Sequence, residues 1–568
     1  MILKKGESPV MKKMKIWAHR GASGYLPENT ILAFAEAVRM EADGVELDIQ
    51  LSRDGQIVVI HDETIDRTSD GTGYVKDLTL AELRQYDYSR TFPEYGPCEI
   101  PTMKEVLRLL KPTDLTINIE LKTGIFDYAG IEEKIIDLVH AEGFADRVIY
   151  SSFNHASILK IQQLDPHAKT AFLYADGTLK MPSYGAAYHV DALHPAVYNI
   201  RFEGFMQECH DLGLDVNVWT VNDESLFALC GQYGVDTVIT NYPDQARQYY
   251  EGVEFRDYVS HTLQPWLSEH VQTETIESFD GLKLAAYHAV HDNPRGTVVI
   301  SHGMGEFFGK YHEMAYRLYQ EGYSVFFLEF RGYGRSERAF DLSEDKIHIL
   351  DFHDYLKDLE AFMEQCVRPA VKQEPLFLLG HSMGGCIGAL YLEQHPEDFR
   401  CAVLSSPMLE LNFGRYPKPA INAMARISEV VDLDQQYAPG QHGFTGVSDF
   451  EASSMGSKAR YDYIMELRRQ DPANQMWGIT WGWVKAANAA TEEAVKNAGQ
   501  IRVPVLLCQA GLDTLVKPNG QHAFAAASPF VTVLSFPEAK HEIYNAGQRE
   551  RERWYKAVLD YFAAFVRE

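Results

Sequence analysis

The stretch at residues 44–61, GVELDIQLSRDGQIVVIH, contains three side chains that could do chemistry together. Its central Asp-Gly dipeptide tolerates the positive φ angles of a two-residue hairpin turn, so the stretch predicts two antiparallel strands. That turn pairs Asp48 with His61, and strand alternation places Glu46 on the same face as Asp48. Two carboxylates suit Mg²⁺ or Ca²⁺, and an imidazole can move a proton. The alternative interpretation is the polar, solvent-facing side of a sheet.

A second reactive group begins at residues 380–384, GHSMG, between an apolar run and a helical pattern. This arrangement predicts a nucleophile elbow that presents Ser382. Asp513 and His541 each follow a later predicted strand, in the chain order that such a triad requires. His541 would remove the Ser382 proton, and Asp513 would orient the imidazole. Three alternative bases or acids rank below this pair: His522, Glu538 and Glu542.

The segment at residues 302–305, HGMG, follows the predicted strand VVIS. In this kind of site, backbone N–H groups after the first strand and after the nucleophile stabilise the oxyanion. We therefore predict the amides of Met304 and Met383 as the oxyanion donors.

Composition restricts the classes of function. A chain of 568 residues with 46% hydrophobic and 23% charged residues predicts two to four globular domains. The net charge of −27 argues against nucleic acid and against simple adsorption to anionic lipid. Seven scattered cysteines without a C-x-x-C pattern indicate reduced thiols and a cytoplasmic location. No apolar run could span a membrane, and the lysines near the N-terminus allow at most peripheral membrane contact.

Strands and helices alternate along residues 14–250. If the second strand of the hairpin is left out of the count, eight strands remain, which predicts a (β/α)₈ barrel. Chemistry in this fold lies at the carboxyl ends of the strands. The polar residues at the ends of the first three strands are His19, Arg20, Glu46, Asp48, Glu120 and Lys122.

The alternation restarts along residues 273–568 with apolar, β-branched strands typical of a buried parallel sheet, as in an α/β-hydrolase. An insertion at about residues 408–500 is too long for an ordinary loop and predicts a helical cap. A cap rich in tryptophan suits an acyl chain, although packing for stability alone explains it equally well. The connecting residues 251–272 are too apolar for a flexible tether and predict a packed linker.

The first half resembles glycerophosphodiester phosphodiesterases. The motifs that carry this likeness, in order, are HRGASGYLPENT, GVELDIQLSRDGQIVVIHD, RTSDGTG, IELK, VNVWTVN and GVDTVITNYPD. The resemblance implies a role for each polar residue at the strand ends. Glu46, Asp48 and Glu120 would hold a divalent metal, His19 and His61 would act as acid and base, and Arg20 and Lys122 would hold the phosphodiester.

The second half resembles the bacterial lysophospholipase and monoacylglycerol lipase branch of the α/β-hydrolases. HGMGEFFGKYHEMAYRL, FRGYGRSE and GHSMGG carry this likeness, together with the cap segment SMGSKARYDYIMELRRQDPANQMWGITWGWVKAA. The elbow is shared by many esterases, so the cap segment is what favours a lysophospholipase.

Together these patterns predict a bifunctional, phospholipid-degrading hydrolase. Its serine site would release a fatty acid from a lysophospholipid or monoacylglycerol. Its metal site, with Mg²⁺ or Ca²⁺, would cleave a glycerophosphodiester to glycerol 3-phosphate and an alcohol. In one alternative, the phosphodiesterase acts first as a lysophospholipase D-type enzyme and the hydrolase is a monoacylglycerol lipase. In another, one domain is a non-catalytic lipid-binding or regulatory module.

Overall fold

The structure is a computed structural model that describes residues 14–343 and 345–566. It consists of two compact units, divided between Glu251 and Gly252. Within the described ranges, every helix is too short or too polar to span a bilayer. The N-terminal lysines for which we predicted peripheral membrane contact lie mostly in residues 1–13, outside the described residues. The predicted bounds of the two domains and of the packed linker stay a prediction.

Eight parallel strands of the first unit close into a barrel. The first strand pairs with both the second and the last, which completes the ring. A short antiparallel arm, β3, pairs with the second strand outside the ring. The strands are β1 Lys15–His19, β2 Gly44–Leu51, β3 Ile57–Val59, β4 Thr116–Leu121, β5 Val148–Ser152, β6 Lys169–Tyr174, β7 Ala192–Pro195, β8 Asp215–Val218 and β9 Thr237–Thr240. The predicted (β/α)₈ fold is confirmed.

Helices connect these strands, and several begin at side chains that cap them. Thr102 and Glu105, for example, form a capping box that satisfies free N–H groups at the start of one helix. The helices are α1 Ile31–Arg39, α2 Leu80–Leu83, α3 Met103–Leu110, α4 Ile131–Glu142, α5 His155–Leu164, α6 Met181–Ala187, α7 Phe205–Asp211, α8 Glu224–Tyr233 and α9 Pro243–Tyr258. Because each helix returns the chain to the start of the next strand, all eight strand ends lie on one face.

The predicted register of the hairpin between β2 and β3 is wrong by one residue. Ile49 pairs with Val59, and the carbonyl of Asp48 accepts the N–H of Ile60 at 3.0 Å. Asp48 therefore lies opposite Ile60 and not opposite His61.

The register differs because the turn has three residues, 53–55, and not two. Gly55 has a φ of 74°, and the N–H of Ser52 donates to the carbonyl of Gln56 at 3.0 Å. A three-residue loop with glycine in the left-handed region is the next most common hairpin connection. Because β3 ends before His61, strand alternation does not set the direction of that side chain.

The second unit contains an eight-stranded sheet of the α/β-hydrolase type, in the order β10-β11-β13-β12-β15-β16-β18-β19. The six predicted strands form its parallel part. The antiparallel pair β10–β11 was not predicted, since β10 is polar and mostly exposed. The strands are β10 Gln272–Glu277, β11 Lys283–Ala289, β12 Gly296–Ser301, β13 Tyr323–Leu328, β14 Lys346–Ile347, β15 Leu376–His381, β16 Cys401–Ser405, β17 Gly478–Ile479, β18 Val505–Ala510 and β19 Val531–Phe536.

Three helices between β16 and β18 form the predicted cap. Trp483 of the last cap helix is buried, and its ring lies 5.7 Å from that of Phe352, so the cap packs on the core of this unit. The helices of the unit are α10 Gln264–His270, α11 His312–Gln320, α12 His353–Phe362, α13 Arg368–Ala370, α14 Met383–Gln394, α15 Lys418–Val430, α16 Lys458–Gln470, α17 Trp481–Asn497, α18 Pro518–Ala527 and α19 Gln548–Ala564. The cap helices are α15, α16 and α17.

Candidate active sites

Three carboxylates meet inside the barrel of the first unit. Glu46 and Asp48 are two residues apart on β2, and Asp48 is in register with Glu120 on β4. Each of the three side chains is buried, and one oxygen from each lies within 4.8 Å of the others. Strand alternation and parallel pairing thus bring together two segments that are 72 residues apart (120 − 48 = 72).

The electrostatics of this triad fit a divalent cation. Burial, together with the negative charges of Asp48 and Glu120, raises the pKa of Glu46. Burial and the charge of Asp48 likewise raise the pKa of Glu120. Within the described part of the chain, Oδ1 of Asp48 has no hydrogen-bond partner. Hard oxygen ligands that are buried and repel one another suit Mg²⁺ or Ca²⁺, whose charge would offset the repulsion.

Two cations partly neutralise the triad. Nζ of Lys122 lies 2.9 Å from Oε1 of Glu120 and 3.8 Å from Oδ1 of Asp48. Nε of Arg20 lies 3.4 Å from Oδ2 of Asp48. Arg20 has a φ of 56°, and a Cβ on the following Gly21 would lie only 2.6 Å from the backbone of α1. The tight turn after β1 therefore needs glycine, and it directs Arg20 toward the triad.

His19 lies at the end of β1 with one ring nitrogen toward the triad. Its Nδ1 is 2.7 Å from Oδ1 of Asn241, and its Nε2 is 3.9 Å from Oε2 of Glu46. Because an amide oxygen can only accept, Nδ1 carries the proton, which leaves Nε2 as the free acceptor. Burial and the charge of Arg20 lower the pKa of His19 to about 4.

His61 is held by a short chain of polar contacts. Its Nδ1 lies 2.6 Å from Oδ1 of Asp62, and Oδ2 of Asp62 accepts from Nε of Arg67 at 2.7 Å. Burial raises the pKa of Asp48, whereas the charges of nearby cations, His61 included, lower it and prevail. His61 is thus close enough to act on the triad electrostatically, although the register from which we derived its position was wrong.

Sequence reasoning missed the residues that hold these groups in place. Asn29 donates from Nδ2 to Oδ2 of Asp48 at 2.9 Å, and Asn241 and Asp62 orient the two histidines. All three lie inside stretches already singled out, LPENT, TNYPD and VVIHD. For Asn241 and Asp62, a polar residue in the loop just after a strand was the signal that could have identified them, whereas Asn29 lies well beyond β1 and carries no such signal.

In the second unit, Ser382 occupies a sharp turn between β15 and α14. Its φ is 51° and its ψ is −115°. A Cβ at Gly384 would lie 2.1 Å from the carbonyl oxygen of Ser301. A small residue at position 384 is therefore required for the start of α14 to lie this close to the end of β12, as the geometry of a nucleophile elbow demands.

Asp513 and His541 form a hydrogen-bonded pair beside this elbow. Nδ1 of His541 lies 2.6 Å from Oδ2 of Asp513, and the other carboxylate oxygen accepts the amides of Leu515 and Val516. Burial raises the pKa of Asp513, but the bond and charge of His541 and these amides lower it and prevail. Nε2 of His541 has no hydrogen-bond partner among the described residues. The ring of His381, next to Ser382 in the chain, is 5.0 Å from the His541 ring.

The alternative acids and bases are engaged elsewhere or face solvent. His522 is exposed and contacts Gln509. Glu538 is exposed as well. Glu542 is buried, but it pairs with Lys310 at 2.9 Å. The geometry therefore favours Asp513 and His541 as the partners of Ser382.

Hydrogen bonds of His302 fix the loop after β12, which carries the Met304 amide. Nε2 of His302 accepts the N–H of Phe330 at 3.1 Å, so its Nδ1 carries the proton and donates to the carbonyl of Gly303 at 2.8 Å. Carbonyl and N–H of one trans peptide point in opposite directions, so this bond also orients the N–H of Met304. Among the described residues, no hydrogen bond of the Met304 or Met383 amide is found. Both amides are available to an oxyanion.

A buried carboxylate holds the same loop from behind. Oε2 of Glu306 accepts the N–H of Gly303 at 2.5 Å and the hydroxyl of Tyr311 at 2.5 Å. Its Oε1 accepts from Lys310 and from the hydroxyl of Tyr544, each at 3.0 Å. Burial raises the pKa of Glu306, yet the charge of Lys310 and the other partners hold it well below its usual range. The ionised carboxylate therefore acts as a fixed acceptor beneath the loop.

A cap residue also contacts this loop. Arg468 of α16 donates to the carbonyl of Gly305, and to the carbonyls of Asn474 at 2.5 Å and Met476 at 3.1 Å. Its burial lowers the pKa of the guanidinium to about 10. Arg468 thus connects the cap to the segment that carries the Met304 amide.

An apolar cavity of about 430 Å³ opens beside Ser382. Apart from Ser382 and Met304, most of its lining comes from the cap and from the loops on either side of it. These lining residues include Met408, Leu411, Phe413, Tyr416, Ile421, Met424, Ile479, Trp481, Trp483, Val484, Leu515 and Val516. The cavity can hold an apolar chain attached to the reacting carbonyl.

Comparison with known proteins finds a matching family model for each unit. Residues 19–245 match the glycerophosphoryl diester phosphodiesterase family, and residues 292–548 match the family described as serine aminopeptidase, S33. A glycerophosphodiester phosphodiesterase of Caldanaerobacter subterraneus subsp. tengcongensis is 42% identical over 233 residues, which is 41% of this chain and 96% of that protein. Another, from Bacillus altitudinis, is 40% identical over 238 residues, again 41% of this chain and 96% of that protein. The resemblance predicted for the first half is confirmed.

Among solved structures, a soluble variant of monoglyceride lipase from Saccharomyces cerevisiae, in complex with a substrate analogue, covers 52% of this chain and 94% of its own. Its sequence is 21% identical, with a TM-score of 0.43.

Proposed function

Because the chain belongs, through residues 19–245, to the glycerophosphoryl diester phosphodiesterase family and its second unit is an α/β-hydrolase, we propose that it degrades lysophospholipids at two sites. The serine site releases the fatty acid. The barrel site cleaves the remaining glycerophosphodiester to glycerol 3-phosphate and the head-group alcohol. The observation that carries this proposal is that one chain contains a buried acidic triad and a Ser–His–Asp arrangement beside an apolar cavity.

At the serine site, Nε2 of His541 takes the proton of the Ser382 hydroxyl as Oγ attacks the ester carbonyl. Asp513 stabilises the imidazolium through its 2.6 Å contact with Nδ1. The amides of Met304 and Met383 stabilise the oxyanion. His541 then returns its proton to the leaving glycerol oxygen, and water releases the fatty acid from Ser382 by the same steps. The cavity beside Ser382 holds the acyl chain.

At the barrel site, Glu46, Asp48 and Glu120 would hold Mg²⁺ or Ca²⁺. When bound, such a cation offsets negative charge on the phosphodiester and on the oxygen that attacks it. Arg20 and Lys122, at the mouth of the same site, bind the non-bridging phosphate oxygens.

Proton transfer at the barrel site is the task of two histidines. The attacking hydroxyl must lose a proton and the leaving alkoxide must gain one. His19 and His61 each have Nδ1 engaged by an acceptor, which leaves their Nε2 atoms to exchange protons with the substrate. Two histidines in opposite protonation states suffice for this exchange.

The two proposed reactions can act in sequence on the same lipid. The glycerophosphodiester that the serine site produces from a lysophospholipid is the substrate of the barrel site. Monoacylglycerol carries the same ester and is a second substrate of the serine site. We propose Mg²⁺ or Ca²⁺ as the cofactor because the triad offers only oxygen ligands.

The test separates the two activities. Purified protein is given glycerophosphocholine, with release of choline measured, and monoacylglycerol, with release of fatty acid measured. We expect both reactions, with only choline release lost in the presence of a chelator. Ser382→Ala should abolish fatty-acid release alone, and Ser405→Ala, a buried serine on β16, is its matched control. A protein that cleaves neither substrate, or an ester activity that survives Ser382→Ala, would refute the proposal.

A further inference from the structure

A thiol, an imidazole and a carboxylate meet at one edge of the hydrolase sheet. Cys366, His288 and Glu274 each offer one ligand atom, and the three atoms lie within 4.8 Å of one another. The serine mechanism uses none of them. His288 and Cys366 are buried, whereas the Glu274 side chain is 48% exposed. The cluster is therefore closed toward the core and open to water at its carboxylate.

Strand pairing brings Glu274 and His288 to the same face of the sheet. Gln272 of β10 is directly opposite His288 of β11, and Glu274 is two residues farther along β10. Because side chains alternate along a strand, all three project from one side of this pair. His288 is also in register with Phe326 of β13, and the two rings stack with centroids 5.3 Å apart. The imidazole therefore has little freedom to turn.

A π-helical turn supplies the thiol. Cys366 lies in this turn, Met363–Val367, directly after α12. The neighbouring Gln365 fixes the turn to β10, because its Nε2 donates to the carbonyl of Glu277 at 2.7 Å and its Oε1 accepts the N–H of Glu277 at 3.1 Å. These two bonds hold Cys366 against the β10–β11 pair, so the three ligand atoms are brought together by the fold itself.

The contacts of His288 leave one ring nitrogen for a metal. Its Nε2 lies 3.2 Å from Oε1 of Gln272 and 3.9 Å from Oε1 of Glu274. Both oxygens can only accept, so Nε2 carries the proton and Nδ1 has a free lone pair. A histidine that binds a metal usually donates its other N–H to such an acceptor. Nδ1 is the atom that faces Cys366.

The spacing of sulfur and nitrogen fits a tetrahedral zinc ion. Sγ of Cys366 lies 3.8 Å from Nδ1 of His288. Zinc bonds of about 2.3 Å to sulfur and about 2.0 Å to nitrogen, at a tetrahedral angle, separate the two ligand atoms by about 3.6 Å. The carboxylate of Glu274 contacts the same thiol, so it can supply the third ligand with little rearrangement.

We propose that Cys366, His288 and Glu274 form a zinc site at the edge of the hydrolase sheet, distinct from both candidate active sites. Thiolate and imidazole favour Zn²⁺ over Mg²⁺ and Ca²⁺, which take oxygen ligands. On binding, the S–H bond of Cys366 breaks, a sulfur–zinc bond forms and the proton leaves to solvent. The ion connects β10, β11 and the π-helical turn, and it therefore stabilises the second unit.

Cobalt(II) is the probe that tests this site. Co²⁺ accepts the same tetrahedral ligands as Zn²⁺, and a thiolate ligand gives it an intense charge-transfer absorption in the near ultraviolet. The acidic triad of the barrel offers only oxygen and cannot give that band. The full chain is freed of metal with a chelator, kept reduced with a phosphine and saturated with Mg²⁺ before Co²⁺ is added. We expect the thiolate band at one Co²⁺ per chain, and its loss when Zn²⁺ displaces Co²⁺.

Substitutions assign the band to its ligands. Cys366→Ala should abolish it, whereas Cys401→Ala, at another buried cysteine of the same unit, should keep it. Glu274→Gln should raise the Kd for Zn²⁺ about tenfold or more, measured by competition with Co²⁺. Glu364→Gln is its matched control, with the same change at an exposed position of the π-helical turn, and should leave Kd unchanged. Both glutamates are exposed, so this comparison holds even if Cys366→Ala does not fold.

Zinc should also raise the thermal stability of the second unit. At a hundredfold excess over Kd, we expect its Tm to rise by about 4 °C in calorimetry, and Glu274→Gln should remove about half of that rise. Three results would overturn the inference: no thiolate band, a band that survives Cys366→Ala, or an unchanged Kd in Glu274→Gln. The cluster would then be a set of hydrogen-bonded side chains without a metal.

Discussion

The contact between Arg468 of the cap and the loop that carries the Met304 amide leads to a testable prediction. Arg468→Met keeps a long side chain with an apolar stem but removes every N–H of the guanidinium. One of the three carbonyls that lose their donor belongs to Gly305, which follows the Met304 amide directly. The other two, of Asn474 and Met476, lie within the cap segment.

The size of the effect follows from the bond to Gly305. A hydrogen bond from a charged group contributes about 1.5–3 kcal/mol, and each 1.4 kcal/mol corresponds to about a tenfold change in rate. If the loop leaves its active orientation once that bond is lost, kcat for ester cleavage falls about 10- to 100-fold. KM should change little, because the oxyanion exists only on the way to the tetrahedral intermediate. The upper end of this range equals the loss of one oxyanion donor.

The assay is steady-state hydrolysis of monoacylglycerol by the variant and by Arg469→Met. Arg469 is the next residue of α16, but its side chain is 41% exposed and donates only to the carbonyl of Gly446 among the described residues, so its loss should leave kcat unchanged. Choline release from glycerophosphocholine by the same samples normalises the amount of protein through its first unit, and urea unfolding reports whether the second unit is folded. An unchanged kcat in Arg468→Met, or a rise in KM alone, would refute the positioning role of Arg468.

Further predictions concern metal, proton transfer and stability. Chelation should abolish choline release, and added Mg²⁺ or Ca²⁺ should restore it. In a metal titration, Asp48→Asn should need more metal for the same recovery of activity. Restoration by Zn²⁺ alone would contradict the assignment of the three carboxylates as ligands. His61→Ala should lower turnover of glycerophosphocholine about 10²–10⁴-fold, with the metal concentration for half-activation little changed; an unaltered turnover would remove its role. Burial and the charge of Glu493 raise the pKa of Glu393 to about 9, so the folded state keeps a proton that the unfolded chain releases above pH ~4.3. Stability should therefore fall as the pH rises through this window, and Glu393→Gln should flatten that decline in urea unfolding at pH 5 and pH 8; parallel slopes for variant and parent would contradict it.

Local patterns in the sequence were sufficient to predict most of the strands and helices that position both sites. Apolar β-branched runs alternating with amphipathic segments predicted the barrel and six parallel strands of the hydrolase sheet, because buried strands and helices impose periods that a sequence records. The polar strand β10 carries no such run, so the antiparallel pair at that edge was missed. The hairpin register was missed for a different reason. An Asp-Gly pair fits both a two-residue and a three-residue turn, and the difference of one residue moved Asp48 from His61 to Ile60.

By itself, the sequence identified the candidate catalytic residues, since carboxylates at strand ends and a serine between small residues are recognisable from type and spacing. Only the tertiary structure decided what holds them. Asn241 orients His19 from 222 residues away, and Arg468 reaches Gly305 from 163 residues away. Contacts of this kind are set by how separate elements pack, and neither periodicity nor spacing along the chain encodes them.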